Sequence, residues 1–138
     1  MATWEELQAR LRTTYKLVQD QATWVAMGWT FPGDPPIRQL VSVACEAAVG
    51  RPWLVIGADA GPATAIPPAQ ALARNADMAM GALATIGGNC IVRFACPMDA
   101  ATWDLVELAL RLLASEAVKI RNGSAASGTA EAFRAYAD

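Results

Sequence analysis

Histidine is missing from all 138 residues. That absence removes Ser–His–Asp and Cys–His nucleophile pairs and every His-based metal triad. Only carboxylate, Lys or Tyr acid–base chemistry stays open. Cysteine is scarce. Cys45, Cys90 and Cys96 make an odd set, all in apolar runs, and read as buried free thiols of a reducing compartment. Five residues separate Cys90 from Cys96, and with no histidine to join them they do not form a zinc site. Charge is thin as well. Charged residues are 17% of the chain and the net charge is −2, so there is no basic stripe of the kind that displaces counterions from nucleic acid. No stretch approaches the roughly 18 apolar residues of a membrane span. The opening MATWEELQARLRTTYK alternates acid with base and lacks the apolar core of a signal peptide. A cytoplasmic protein is expected, with no metal and no cofactor.

What the chain does have is apolar surface. Hydrophobic residues are 54% of a length that makes one domain with a real core. The surplus points to a dimer or a docking face.

The patterns follow one another in a definite order. Thr3 and Glu6 form a capping-box pair, and Trp4, Leu7, Leu11, Tyr15 and Val18 recur on one helical face, which predicts a helix from Thr3 to about Gln19. Trp24–Phe31 alternates as a strand, with Val25, Met27, Trp29 and Phe31 on one face and Trp24 on the other. The prolines of 32–36 make a wide, stiff turn. A second strand covers about Arg38 to Ala48. Val41, Val43, Cys45 and Ala47 share one face, and Leu40, Ser42, Ala44 and Glu46 share the other, a small and half-polar surface that another subunit can cover at low desolvation cost. Val49-Gly50-Arg51-Pro52 reads as a type II′ hairpin turn. Trp53–Gly57 is a continuous apolar strand, buried on both faces or covered by a dimer partner.

A loop is expected from Asp59 to Ile66. Its Gly57-x-x-x-Gly61 spacing lacks the Gly-Lys-Ser/Thr ending and encloses Asp59, so it is not a phosphate loop. Pro67–Ala76 reads as a short helix with Leu72 and Ala76 inward. Ala82–Ile86, the Gly87-Gly88-Asn89 turn and Cys90–Ala95 make a hairpin whose one internal charge is Arg93, either exposed at mid-sheet or paired with a carboxylate such as Glu46. Asp99 is the expected N-cap of a last helix reaching about Arg121, with a broad apolar arc that includes Leu112. Small residues dominate 123–138, which reads as a flexible tail beyond a single domain spanning 1–122. Together these patterns give an α+β domain of order α-β-β-β-α-β-β-α, an antiparallel sheet packed by helices.

That order resembles the YbjN-like domain and the related class I type III secretion chaperones. The resemblance covers roughly Thr3 to Asn122. It is carried by Leu72-Ala-Arg-Asn75, by Gly87-Gly-Asn-Cys-Ile-Val-Arg-Phe94 and by the helix from Met98 through Lys119, where Asn75, Arg93 and Ala117 occupy places comparable to those of the family. It implies a homodimer that binds protein, with no catalytic residues to carry over. The chain is therefore expected to be a non-enzymatic, chaperone-like or adaptor module. Trp24, Leu40, Trp53, Arg93 and Leu112 are its candidate partner or dimer surface. The alternative is a small ligand-binding or carboxylate-based enzyme domain using Asp59, Asp77, Arg93 or Tyr15, or a structural subunit of a larger assembly.

Overall fold

Thr3 opens the first helix by accepting the Glu6 amide on Oγ1 at 3.2 Å, one half of the expected capping box. The computed structural model describes residues 3–122 and the backbone of 134–136. Helix α1 (Trp4–Thr14) buries Leu7 and Leu11, and it stops short of Gln19. Tyr15 is already extended, because Val18 donates its amide to the Ala26 carbonyl and Gln19–Asp20 lies along the next strand as β1. Asp20 then clasps the helix: it accepts from Gln8 Nε2 at 2.9 Å and pairs with Arg12 at 2.7 and 3.0 Å.

The remaining strands are β2 (Trp24–Phe31), β3 (Ile37–Ala48), β4 (Arg51–Pro62), β5 (Ala82–Ile86), β6 (Asn89–Pro97) and the short β7 (Arg134–Tyr136). The sheet runs β1-β2-β3-β4-β6-β5, every pairing is antiparallel, and β7 lies against β2. Helices α2 (Pro68–Asp77) and α3 (Trp103–Arg121) complete the α+β order read from the sequence. No helix of the described residues is long and apolar enough to cross a membrane.

Register fixes the faces. Val43 lies across from Val25 and Ile56, and Ile56 lies across from Phe94, so Val25, Val43, Ile56 and Phe94 project to one side. Helix α3 packs on that side with Val106, Leu110, Leu113 and Ala117 fully buried, and α1 adds Leu7 and Leu11. Each such side chain contributes roughly 1.5–3 kcal/mol on burial. Tyr15 seals the seam between the helices, with its ring 5.3 Å from Trp29 and 6.4 Å from Trp103, while the Arg10 guanidinium sits 4.4 Å over Trp103.

Several local expectations change. The Val49-Gly50 turn has positive φ at both positions, 46° and 75°, which makes it type I′ where type II′ was expected. The expected loop from Asp59 is still strand as far as Pro62, because β4 keeps pairing with β6 across a bulge between Asp59 and Pro62. Thr102, not Asp99, caps α3 by accepting the Leu105 amide at 3.2 Å. Asp99 instead lies in the 3-10 turn Met98–Ala100 and pairs with Arg51 at 2.9 Å.

Leu72 and Ala76 face outward on α2, and Leu72 is 71% exposed. Polar contacts fix the helix in that orientation. Asn75 Oδ1 accepts the Leu83 amide at 2.7 Å, and Arg74 pairs with Glu116 of α3 at 2.6 Å. Ala71, Arg74 and Asn75 make the inward stripe, and Leu72 lies nearly opposite Arg74 around the helix, at the margin of that stripe and in solvent. Most of the expected tail, 123–133 and 137–138, falls outside the described residues, and within it Arg134–Tyr136 runs as β7 opposite Gly28–Thr30.

Candidate functional site

With α1, α2 and α3 all on one side, the other side of the sheet carries no helix among the described residues. Alternation and register place Trp24, Ala26 and Gly28 of β2 there, followed by Leu40, Ser42, Ala44 and Glu46 of β3. Trp53, Val55 and Gly57 of β4 come next, then Ile91, Arg93 and Ala95 of β6, and finally Ala84 and Ile86 of β5. A Cβ on Gly57 would stand 3.4 Å from Ile91 Cγ2 and 3.5 Å from Ser42 Oγ, which puts both of those side chains on this face with it.

The composition of the face is unusual for a surface. Leu40 is 56% exposed, Ile86 53% and Trp24 38%. Trp53 directs its indole N–H to the Ala48 carbonyl at 2.9 Å, so its polar atom is satisfied within the hairpin and the ring is left as apolar surface. Small residues between these large ones keep the middle flat. Charge is confined to a few places. Arg51 at one end is taken up by Asp99, and Asp59 at the other end accepts from the Gly61 amide at 2.8 Å and from Asn89 Nδ2 at 3.0 Å. Arg38 stands at the Asp59 end, Glu46 is exposed toward the hairpin end of β3, and Arg93 lies at mid-sheet; among the described residues neither Glu46 nor Arg93 makes a side-chain hydrogen bond or an ion pair. They do not pair with each other. Glu46 lies across from Trp53 and Arg93 across from Gly57, one on each side of β4 and four residues apart along it, a separation of roughly 16 Å from strand rise and spacing.

Four of the five residues expected at a partner surface, Trp24, Leu40, Trp53 and Arg93, thus share one face. Leu112 does not join them. It is half-buried in the helix layer, beside a cavity of about 320 Å³ lined also by Met78, Met80 and Glu116. The sequence reading missed Val55, Gly57 and Ile91 as members of the face; the period-2 alternation of β4 and β6 places them there once the register is known.

The groups considered for chemistry are scattered. Asp59 borders a cavity of about 590 Å³ with Gly28, Arg38, Leu40 and Arg121. Asp77 borders the cavity beside Leu112, and Arg93 lies on the open face. Tyr15 is in the helix layer, where burial, with the nearby Glu107 carboxylate adding to it, pushes its hydroxyl up to about 12. Burial likewise raises the Cys45, Cys90 and Cys96 thiols and holds them protonated. Among the described residues no group of three His, Cys, Asp or Glu side chains stands close enough to hold a metal ion.

The shift of Tyr15 has a testable sign. Because the folded state favours the neutral phenol, Tyr15 contributes stability that is full below about pH 10 and is lost as pH rises through about 12. In Tyr136→Phe, which leaves Tyr15 as the one tyrosine of the chain, phenolate absorbance will rise near pH 12 and together with loss of fold. Titration near 10 with the fold intact would contradict the buried placement.

No protein-family model, curated protein or solved structure matches the chain significantly.

Proposed function

We propose that this domain is a non-enzymatic protein-binding module, chaperone-like or adaptor in its work, which holds another chain against the helix-free face of its sheet. The observation that carries this reading is the face itself: exposed Trp24, Leu40 and Ile86, with partly exposed Trp53 and Ile91, on the side of the sheet that carries no helix among the described residues. Contiguous exposed apolar surface rimmed by polar groups is where soluble domains meet partners, and aromatic residues with satisfied polar atoms supply contact area at low entropy cost. The dispersal of Tyr15, Asp59, Asp77 and Arg93 over three regions gives no comparable support to an enzyme reading, which needs converging groups. Three protonated, unbridged thiols suit work in a reducing compartment such as the cytoplasm.

Two single substitutions separate this face from the rest of the exposed apolar surface. Leu40→Asp places a charge on its most exposed apolar side chain, whereas Leu72→Asp places the same charge on α2. Tagged protein recovered from its native host and analysed by mass spectrometry will carry a bound chain. Leu40→Asp will lower that recovery at least about tenfold, the scale of losing one main apolar contact, and Leu72→Asp will leave it unchanged. Full retention in Leu40→Asp would remove the face from the function.

A further inference from the structure

We propose that the cavity between the diverging ends of β3 and β4 binds a small organic monoanion: a carboxylate with a hydrogen-bond donor beside it and an apolar group attached.

The cavity arises from the register. β3 and β4 pair with each other only as far as Val41 and Ala58. Beyond that point residues 37–40 stay with β2 and residues 59–62 stay with β6, so the two strands part. Backbone groups that a continued ladder would pair then need other partners. Side chains supply them. Gln39 Nε2 donates to the Leu40 and Asp59 carbonyls at 2.9 Å each, bridging the gap. Arg121, from the end of α3, donates through Nη2 to the Arg38 carbonyl at 2.7 Å. The space that remains, about 590 Å³, is within the roughly 300–1,000 Å³ of small-molecule sites.

The lining defines the ligand. Gln39 borders the cavity and is 2% exposed, and its Oε1 has no hydrogen-bond partner. The two carbonyls that accept from Nε2 fix the orientation of this amide, so Oε1 is a buried acceptor that calls for a donor. Charge sets the second requirement. Among the described residues two guanidiniums, Arg38 and Arg121, and one carboxylate, Asp59, border the cavity, a net charge of +1. Asp59 is held in place by the Gly61 amide and Asn89 Nδ2. Arg121 uses Nη2 on the Arg38 carbonyl, and its remaining N–H groups suit a carboxylate. The third requirement is apolar. Leu40 walls the cavity with a side chain that is 56% exposed, and Gly28 and Gly61 carry no side chain to fill the space beside it. One molecule meets all three: its carboxylate on Arg121, the neighbouring donor on Gln39 Oε1, its apolar group along Leu40. A plain aliphatic acid lacks the donor and an ester lacks the charge, so each satisfies only part of the site.

N-acetyl-leucine has all three parts and serves as the probe. Titrated into the isotope-labelled full chain and followed by NMR, it will shift the Gly28, Leu40 and Gly61 amides along one saturable curve, with a Kd of about 1 mM or tighter. Its methyl ester, without the charge, and isocaproate, without the N–H, will each bind at least about tenfold more weakly. Arg121→Gln, a change to an exposed side chain, will weaken the acid at least about fivefold and leave the ester as it was; its melting temperature checks that the fold is intact. Gln39 stays unchanged, because its amide nitrogen braces both strands, and isocaproate tests its oxygen instead. An extended peptide with a free C-terminal leucine that binds at least about tenfold more tightly than N-acetyl-leucine assigns the carboxylate to the end of a chain, and one that binds no more tightly assigns it to a free acid. No saturable shift at about 20 mM probe would overturn the proposal. So would equal binding of acid and ester, or an affinity that Arg121→Gln does not change.

Discussion

Replacing Gly81 by alanine will destabilise the fold by about 3 kcal/mol and lower its melting temperature by about 10 °C. Two effects add. Gly81 has φ +81°, in the left-handed region that costs an L side chain roughly 1–2 kcal/mol. A Cβ there would also lie 2.8 Å from the Arg93 carbonyl oxygen and 3.4 Å from Leu113 Cδ1. The carbonyl has little room to withdraw, because Arg93 is held in the β6 ladder between Gly57 and Ala82. Leu113, on the buried side of α3, is fully buried and is equally confined. Urea and thermal unfolding measure the loss; a midpoint equal to that of the wild type would mean that the chain before β5 approaches β6 less closely than this.

Ile56→Ala will cost about 3–4 kcal/mol, the upper part of the range for a large-to-small change in a rigid core. Ile56 sits at mid-sheet, with Val43 on one side and Phe94 on the other, and is completely buried in the cluster that includes Leu110 and Leu113 of α3. Anchored strands on both sides leave little scope for collapse into the cavity. The neighbouring open face behaves differently: Leu40→Ala, on a side chain already half in water, will change stability by less than about 0.5 kcal/mol. Denaturant midpoints for the pair will separate the two sides of the sheet. A loss at Leu40 as large as that at Ile56 would mean that the face is already covered within one chain.

Much of this arrangement was legible because period-2 alternation survives in the strands that matter. Leu40-x-Ser42-x-Ala44-x-Glu46 and Val41-x-Val43-x-Cys45 separate into the two faces that the register assigns, and Trp24 falls opposite Met27 and Trp29 as its parity requires. What escaped was set by tertiary pairing. Gln19–Asp20 carries no alternation to read; it is a strand because β2 offers an edge and Arg12 and Gln8 hold Asp20. Gly61 and Pro62 look like a break, yet a bulge lets β4 continue past them. Leu72 looked inward by its chemistry alone, and the Asn75 and Arg74 contacts that rotate α2 depend on partners distant in sequence. The grouping of Trp24, Leu40, Trp53 and Arg93 needed strand order, which composition and spacing do not contain.

The hydrogen bond from the Leu83 amide to Asn75 has a consequence for how far this protein can assemble. Leu83 belongs to β5, the last strand on its side of the sheet, and the amide taken by Asn75 is one that an added strand would need. At the opposite margin β1 and β7 already lie along β2. Strand addition in the plane of the sheet, the route to fibres, is therefore disfavoured at the β5 edge, where that amide is already taken. Exposed Leu40, Ile86 and Leu72 make unwanted strand addition a hazard for this chain, and an edge amide already occupied from within is one device that opposes it.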